Sequence, residues 1–470
     1  MTGGDADARL PARWQTTLPD GRTAQVMARA QAINLLLDND SPSFTFDPMG
    51  RLHGAFVEGI NYRRSLDNRV LRKWSEHGEA GSTRRRSWLR QDEARAVVDL
   101  AYGLAAGAAE RAGDAPPPIR DALRSVARWD WPRLEADRRR FETIYTPVGI
   151  LPPDQYLALV LQATHGCSHN ACTFCTFYRD IPFRIKSADE FRSHVTGVLD
   201  FFGPAIAMRR SIFLADANAL VTPMPRLLAL LHVLGESQSL RVSEGQASAA
   251  GSSRQMSTEP GAYNPSAPLP PAPPPSVHLP SAPPPSVHLP SAPLPPAPLL
   301  PAPLPLFAFI DAFHVERKSV ADWQELQARS LQRVYIGMES GHDPLLRWLN
   351  KPGNAGDVLD AVTTLKAAGV SVSVIVMAGV GGAVFADAHV HDTVQLLNAM
   401  PLASGDLIYL SEFKEQPDSA YARQAYQFGV DTLALPAVRE QAAAIRSQFV
   451  PRDPDHPPRF ARYDIDEFIY

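Results

Sequence analysis

The sequence predicts a parallel α/β fold, preceded by a helical N-terminal region and interrupted by a disordered, Pro-rich insert. Three observations predict it. From Tyr156 onward, six apolar runs of strand length and β-branched or aromatic character recur, at 156–164, 211–217, 307–313, 334–340, 372–379 and 406–410. Amphipathic segments separate them, and parallel neighbours in a sheet need helical crossovers of that kind. One stretch, 238–305, breaks the alternation with Ser and Gly and then with Pro.

Residues 1–145 read as mostly helical and carry no chemical motif. Val97, Ala101, Leu104 and Ala108 mark one apolar face of a helix from Gln91 to Arg111, and Pro116 to Pro118 follow its end. Core helices are expected at 189–202, 225–234, 321–331, 356–368 and 388–400. In the fourth of these, Val358, Ala361, Val362 and Leu365 repeat at helical spacing, Asn354 caps the start and Gly369 stands where a helix stops. Within the insert, PAPPPSVHLP is followed directly by SAPPPSVHLP. Such a composition favours polyproline II or disorder, and it reads as an insertion in a surface loop, where closure entropy grows slowly with length. His278 and His288 owe their spacing to the repeat rather than to metal binding.

A chain of 470 residues, 45% of them hydrophobic, has room for a sizeable core and two or three structural units. A formal charge of -4 argues against a nucleic-acid partner, which calls for a basic surplus. The arginine runs Arg84 to Arg86 and Arg138 to Arg140 read as solvated helix faces. No positively charged start followed by an apolar run announces export, and the Pro-studded stretch from Pro265 to Ile310 cannot cross a bilayer as a helix. These features predict a cytoplasmic protein without a membrane partner. The three cysteines all lie between positions 167 and 175. An odd, clustered set is no disulfide framework, and it points to a reducing compartment and to metal chemistry.

The decisive string, GCSHNACTFCTFYRD, begins at Gly166, just after the first predicted strand. Cysteines separated by four and then two residues can fold a loop around one face of an iron–sulfur cubane. Plant-type two-iron ferredoxins open with the same spacing but need a fourth cysteine, which this chain lacks. Three thiolates leave one iron of a four-iron cluster without a protein ligand, open to a substrate or cosubstrate. The rival is a structural zinc on the three cysteines and His169. Zinc ligand pairs usually come from two chain segments, whereas here all four would crowd into one short loop, so His169 reads as a loop residue.

The cysteine loop after strand one, Phe174 directly before the last cysteine and the six βα units resemble the radical S-adenosylmethionine superfamily over about Thr146 to Tyr421. CTFCTFYRD, FLADANAL, YIGMESG and VIVMAGVGG are similar to segments of bacterial members. The common pattern there is CxxxCxxC, and this chain has one additional residue between Cys167 and Cys172. The resemblance implies a core at 146–421 folded as a partial parallel (β/α)6 barrel with its chemistry at the carboxyl ends of the strands. Residues 238–305 are then an insert within it, and 422–470 a C-terminal extension. It implies a 4Fe-4S cluster on Cys167, Cys172 and Cys175, with Phe174 beside the S-adenosylmethionine cosubstrate. Asp216 and Asn218 would hold the methionine amino group, Glu339 and Ser340 the ribose or methionine carboxylate, and Ala378 and Gly379 the adenine through backbone groups. All four polar residues also suit turn caps. Tyr409, Ser411 and Glu412, around the end of strand six, are candidates for substrate contact, with Tyr409 and Glu412 as candidate catalytic residues.

The activity so implied is reductive cleavage of S-adenosylmethionine to a 5′-deoxyadenosyl radical, which abstracts hydrogen from a substrate the sequence does not identify. A small one-electron donor such as flavodoxin or ferredoxin is implied too, since no cysteines remain for a second cluster. Two other classes stay open. One is a non-catalytic iron–sulfur sensor whose Pro-rich insert recruits a partner with an aromatic groove. The other is a zinc-stabilised interaction protein.

Overall fold

The structure is a computed structural model that describes residues 12–38, 41–78, 81–246 and 304–470. Its first unit is built by alternation. In the third strand Ile33, Leu35 and Leu37 are buried while Asn34 and Leu36 are half-exposed, the period of a sheet covered on one face. Eight strands make up this unit: β1 Ala12–Thr17, β2 Thr23–Ala28, β3 Ile33–Leu37, β4 Ser43–Phe46, β5 Leu52–Val57, β6 Ile60–Arg64, β7 Val70–Gly78 and β8 Gly81–Trp88. They form an antiparallel meander in chain order. Helices α1 Gln91–Glu110 and α2 Pro117–Val126 pack on it, burying Val26, Leu35, Phe44, Val98 and Ile119 in one core, and α3 Trp131–Ile144 leads onward.

This corrects the helical reading of 1–145, because the first helix starts only at Gln91. The strands are short and set Arg, Glu and Asn at their outward positions, so no continuous apolar run announces them. Arg84 to Arg86 accordingly lie on β8 rather than on a helix, whereas Arg138 to Arg140 do lie on α3.

The second unit follows the predicted strands closely. After β9 Ala158–Gln162 comes a two-residue ribbon, β10 Thr164–His165 with β11 Arg184–Ile185, then α4 Ala188–Phe202, β12 Ser211–Ala215 and α5 Met224–Gln246. The chain continues through β13 Leu306–Ile310, α6 Val320–Ala328, β14 Leu331–Glu339, α7 Asp343–Trp348, α8 Ala355–Ala367, β15 Ser371–Ala378, α9 Gly382–Ala399 and β16 Leu407–Glu412. The six long strands are parallel and adjacent in chain order. These strands are buried on both faces, which is why they read as near-continuous apolar runs. Asn354 caps α8 by accepting from the Gly356 and Asp357 amides at 2.8 and 3.3 Å, and Gly369 follows the helix in the left-handed region at φ 76°.

Two boundaries move. Beyond α10 Ala420–Phe428 and α11 Leu435–Gln448, β17 Arg459–Tyr463 adds a seventh parallel strand beside β16, so part of the expected C-terminal extension belongs to the core sheet. At the insert, α5 runs on to Gln246, so 238–246 are helical; the tandem repeat, His278 and His288 lie outside the described residues.

The sheet is curled. Asp154, shortly before β9, accepts hydrogen bonds from Tyr335 Oη at 2.6 Å and Tyr409 Oη at 2.7 Å. Laid flat, β9 and β16 would stand roughly 24 Å apart at the usual spacing of neighbouring strands. The free edge of β9 is capped, since the Val160 amide donates to Tyr470 Oη at 2.9 Å and its carbonyl accepts from Tyr145 Oη at 2.9 Å. Arg51 Nη2 donates to the Phe201 carbonyl at 2.6 Å, and the Leu66 amide to the Tyr470 carbonyl at 2.8 Å, joining the two units.

Candidate functional site

The cysteines lie in the loop 166–183, whose two legs are clamped at the base by the β10–β11 ribbon. Gly166 opens the loop at φ 69°, and a Cβ there would stand 2.4 Å from the Ile181 carbonyl oxygen, so only glycine lets the legs close. Inside the loop, the Asn170 amide points at Cys167 Sγ at 3.4 Å and its Nδ2 donates to the Tyr178 carbonyl at 2.7 Å. Arg179 braces the far side, donating to the carbonyls of Cys175, at 2.9 Å, and Cys172. The loop is stitched to the segment after α7. Thr173 N donates to the Leu349 carbonyl and Asn350 Nδ2 to the Ala171 carbonyl, both at 2.9 Å, and His169 Nε2 donates to the Asn350 carbonyl at 2.8 Å. His169 is thus spent on the backbone.

All three thiols are free and half-buried. Burial pushes each above its ordinary value, Cys172 up to about 12, with the Lys351 charge pulling the other way. A metal therefore has to displace protons on binding. Among the described residues no three His, Cys, Asp or Glu side chains gather closely enough to hold one ion. A set of thiols alone suits iron–sulfur ligation, in which each sulfur takes its own iron.

Cys175 borders a cavity of about 380 Å³ at the carboxyl ends of the parallel strands. Phe174, Phe309, Ile375 and Met377 supply apolar wall, and Asp311, Glu339 and Lys351 supply charge. Lys351 Nζ lies 3.7 Å from Asp311 and 3.5 Å from Glu339. Burial alone would lower the Lys351 ammonium, but Glu339, Asp311 and the thiols outweigh it and hold the group above the ordinary lysine value. Burial raises Glu339 against the pull of Lys351. Gly337 makes room for the pair, since a Cβ there would stand 2.3 Å from Glu339 Oε1. Sequence reasoning missed both Lys351 and Asp311; a lysine in the turn LNKPGN carries no periodic signal.

The predicted residues divide sharply. Phe174, Glu339, Ser411 and Glu412 border the cavity, and Glu412 is held by Arg462 at 3.1 Å and Arg439 at 3.4 Å. Asp216 is buried behind the wall, with Oδ1 accepting from Gln162 Nε2 at 3.0 Å and Oδ2 from the Gly166 amide at 3.2 Å. It anchors the cysteine loop, and burial raises its pKa to about 6. Asn218 is equally buried and bridges Ser168, at 2.8 Å, to Asp311. Ser340 Oγ meets His389 Nδ1 at 2.7 Å inside the core. The Ala378 carbonyl accepts from the Phe413 amide at 2.8 Å, and the Gly379 amide donates to Gln441 at 2.6 Å, so these backbone groups are engaged within the protein. Tyr409 sits at the opposite end of the sheet on Asp154.

No family model matches the chain, and no curated protein sequence does. Among solved structures, coproporphyrinogen III oxidase (HemN) from Escherichia coli, a radical SAM enzyme, is 10% identical over 62% of this chain and 52% of its own, with a TM-score of 0.36. HydG, a maturase of the [FeFe]-hydrogenase, is 12% identical over 76% of this chain and 64% of its own, with a TM-score of 0.35. The cobalamin-dependent S-adenosylmethionine radical enzyme OxsB is 12% identical over 79% of this chain, with a TM-score of 0.33, and this chain spans only 36% of its length. Overlaps this slight carry no weight of their own.

Proposed function

We propose that this chain is a radical S-adenosylmethionine enzyme, holding a 4Fe-4S cluster on Cys167, Cys172 and Cys175 and acting on a substrate in the adjoining cavity. One observation supports it above the rest: the chain's three thiols share one braced loop that opens, through Cys175, onto the cavity at the carboxyl ends of the parallel strands. The donor set fits the group, since three thiolates and no fourth cysteine leave one cubane corner for a cosubstrate. The curled sheet with its helical crossovers suits the partial (β/α)6 barrel of that family, with β17 as an addition.

Once bound, the cluster would supply the electron that splits S-adenosylmethionine into methionine and a 5′-deoxyadenosyl radical able to take hydrogen from a substrate. The rest falls to the chain's own residues. Phe174, Phe309, Ile375 and Met377 keep water from the reacting groups. Lys351 offsets the negative charge of the thiolates and offers a cation to a carboxylate, while Asp311 and Glu339 offer acceptors to an ammonium group. Asp216 and Asn218 hold the loop and the Asp311 backbone in place rather than touching the ligand. Glu412, fixed by two arginines at the mouth, meets the substrate. An external electron donor such as flavodoxin or ferredoxin completes the system. Among the described residues no helix is long and apolar enough to cross a membrane.

Oxygen-free reconstitution with iron and sulfide tests the proposal. The expected result is about four irons per chain, and 5′-deoxyadenosine on reduction in the presence of S-adenosylmethionine; Cys172→Ala should lose both. A colourless chain holding one zinc would overturn the assignment. A cluster that never cleaves the cosubstrate would make the protein a sensor instead.

A further inference from the structure

A second cavity, of about 30 Å³ and partly open to solvent, lies where the antiparallel unit meets the parallel one, and Arg51, Arg63, Arg64, Arg209, His53 and Asp47 line it. The four arginines are not alike. Arg51 is neutralised, with Nε 3.0 Å from Asp137 and Nη1 3.6 Å from Asp47. Arg64 donates to the carbonyls of Leu52, at 2.7 Å, and Ser65, at 3.0 Å, and feels the same two acids. Those two arginines and two aspartates balance.

Arg63 and Arg209 have no such partners. Arg209 stacks over the rings of Phe202 and Tyr470, at 4.4 and 5.2 Å, and donates Nη1 to the Ala158 carbonyl at 3.3 Å, but its Nε is buried without an acceptor. Arg63 Nε is buried without an acceptor too, and among the described residues no carboxylate pairs with either guanidinium. Burial, and then the charge of Arg209, pull Arg63 down from its ordinary value. His53 does not relieve the repulsion, because burial and the arginine charges hold it neutral, with a pKa of about 3. An unmet buried donor costs about 1–3 kcal/mol, and buried charges are normally paired. Two like charges with free N–H groups on one cavity describe a site that awaits an anion.

We propose that this cavity binds a phosphate group, gripped between the guanidinium groups of Arg63 and Arg209. Guanidinium forks match the oxygens of a phosphate, and the space exceeds what one water needs. Arg63 lies on β6 of the antiparallel unit and Arg209 precedes β12, so the bound anion would tie the two units together and stabilise the whole chain. The inference stands independently of the cysteine loop.

The test uses the full chain at constant ionic strength, titrated with inorganic phosphate by calorimetry, with thermal melts alongside. Saturable one-site binding and a rising Tm are expected. Arg63→Gln should weaken binding by about tenfold or more, without lowering the Tm of the anion-free protein. Arg63→Lys, which keeps the charge but loses the fork, should fall between the two and serves if the glutamine variant does not fold. Glycerol 3-phosphate binding more tightly than inorganic phosphate would mark a phosphomonoester ligand, and weaker binding would mark free phosphate; either supports the site if Arg63 is needed. No saturable binding to the wild type, or binding that both Arg63 variants retain in full, would overturn it.

Discussion

The two ends of the parallel sheet carry similar residues in opposite states. At the amino end, Asp154 collects Tyr335 Oη at 2.6 Å, Tyr409 Oη at 2.7 Å and Arg333 Nη1 at 3.0 Å, so one carboxylate has three strong donors. At the carboxyl end, two carboxylates, Asp311 and Glu339, share the single ammonium of Lys351 at 3.7 and 3.5 Å, beside three thiols and a cavity of about 380 Å³. Saturation at one end and under-compensation at the other separate scaffold from chemistry. The contrast also sorts β16, where Tyr409 serves the first end and Glu412 the second. Position along the strand decides the role, not residue type.

The most severe way to break the contrast is to remove Lys351. Lys351→Met leaves Asp311 and Glu339 facing each other with no cation, and breaking a buried ion pair on one side costs about 3–5 kcal/mol. Urea unfolding of the cluster-free protein measures it. A loss within the range of exposed surface pairs, about 1 kcal/mol or less, would mean that water already compensates these carboxylates and that the carboxyl end is no more strained than the amino end.

How far each end was legible depended on what burial does to sequence. Strands buried on both faces become unbroken apolar runs, so β9 and β12 to β16 stood out, as did three thiols packed between positions 167 and 175. The antiparallel unit hid because its short strands expose one face, and β17, RFARY, hid for the same reason. Lys351 was invisible because the turn after α7, not a periodic pattern, carries it to the cavity. The segment FLADANAL did announce polar residues at a strand end. That both Asp216 oxygens are taken by Gln162 and Gly166 is a fact of packing between segments far apart in the chain.

A gentler probe sharpens what Asp216 does as anchor. Burial raises its pKa from 3.8 to about 6, even though Gln162, Gly166 and Lys186 pull it down. Between these values the folded protein holds a proton that the unfolded chain releases. The stabilisation is therefore fully present below the unfolded value and is lost as pH rises through the folded one. Two units or so correspond to about 3 kcal/mol. Asp216→Asn removes this titration, so the stability of the wild type relative to the variant should fall by about that much between about pH 4 and about pH 7 in urea unfolding. A difference that stays flat with pH would show that the carboxylate keeps access to water, and its place would then be in the cavity rather than behind it.

The smallest effect is expected at the amino end, where Tyr409→Phe removes one donor from Asp154. Tyr335 and Arg333 still hold the carboxylate, so the loss should stay at about 1.5 kcal/mol, the low end for a hydrogen bond to a charged group. The phenyl ring keeps its packing on Tyr463, at 5.3 Å between centroids, so no cavity adds to the cost. Formation of 5′-deoxyadenosine by the reconstituted protein should be unchanged, whereas Glu412→Gln, further along the same strand, should alter substrate turnover with little loss of stability. If Tyr409→Phe instead slowed cosubstrate cleavage while leaving stability intact, the buried hydroxyl would be acting on the reaction through the length of the sheet, and saturation of hydrogen bonds would no longer mark a region as scaffold.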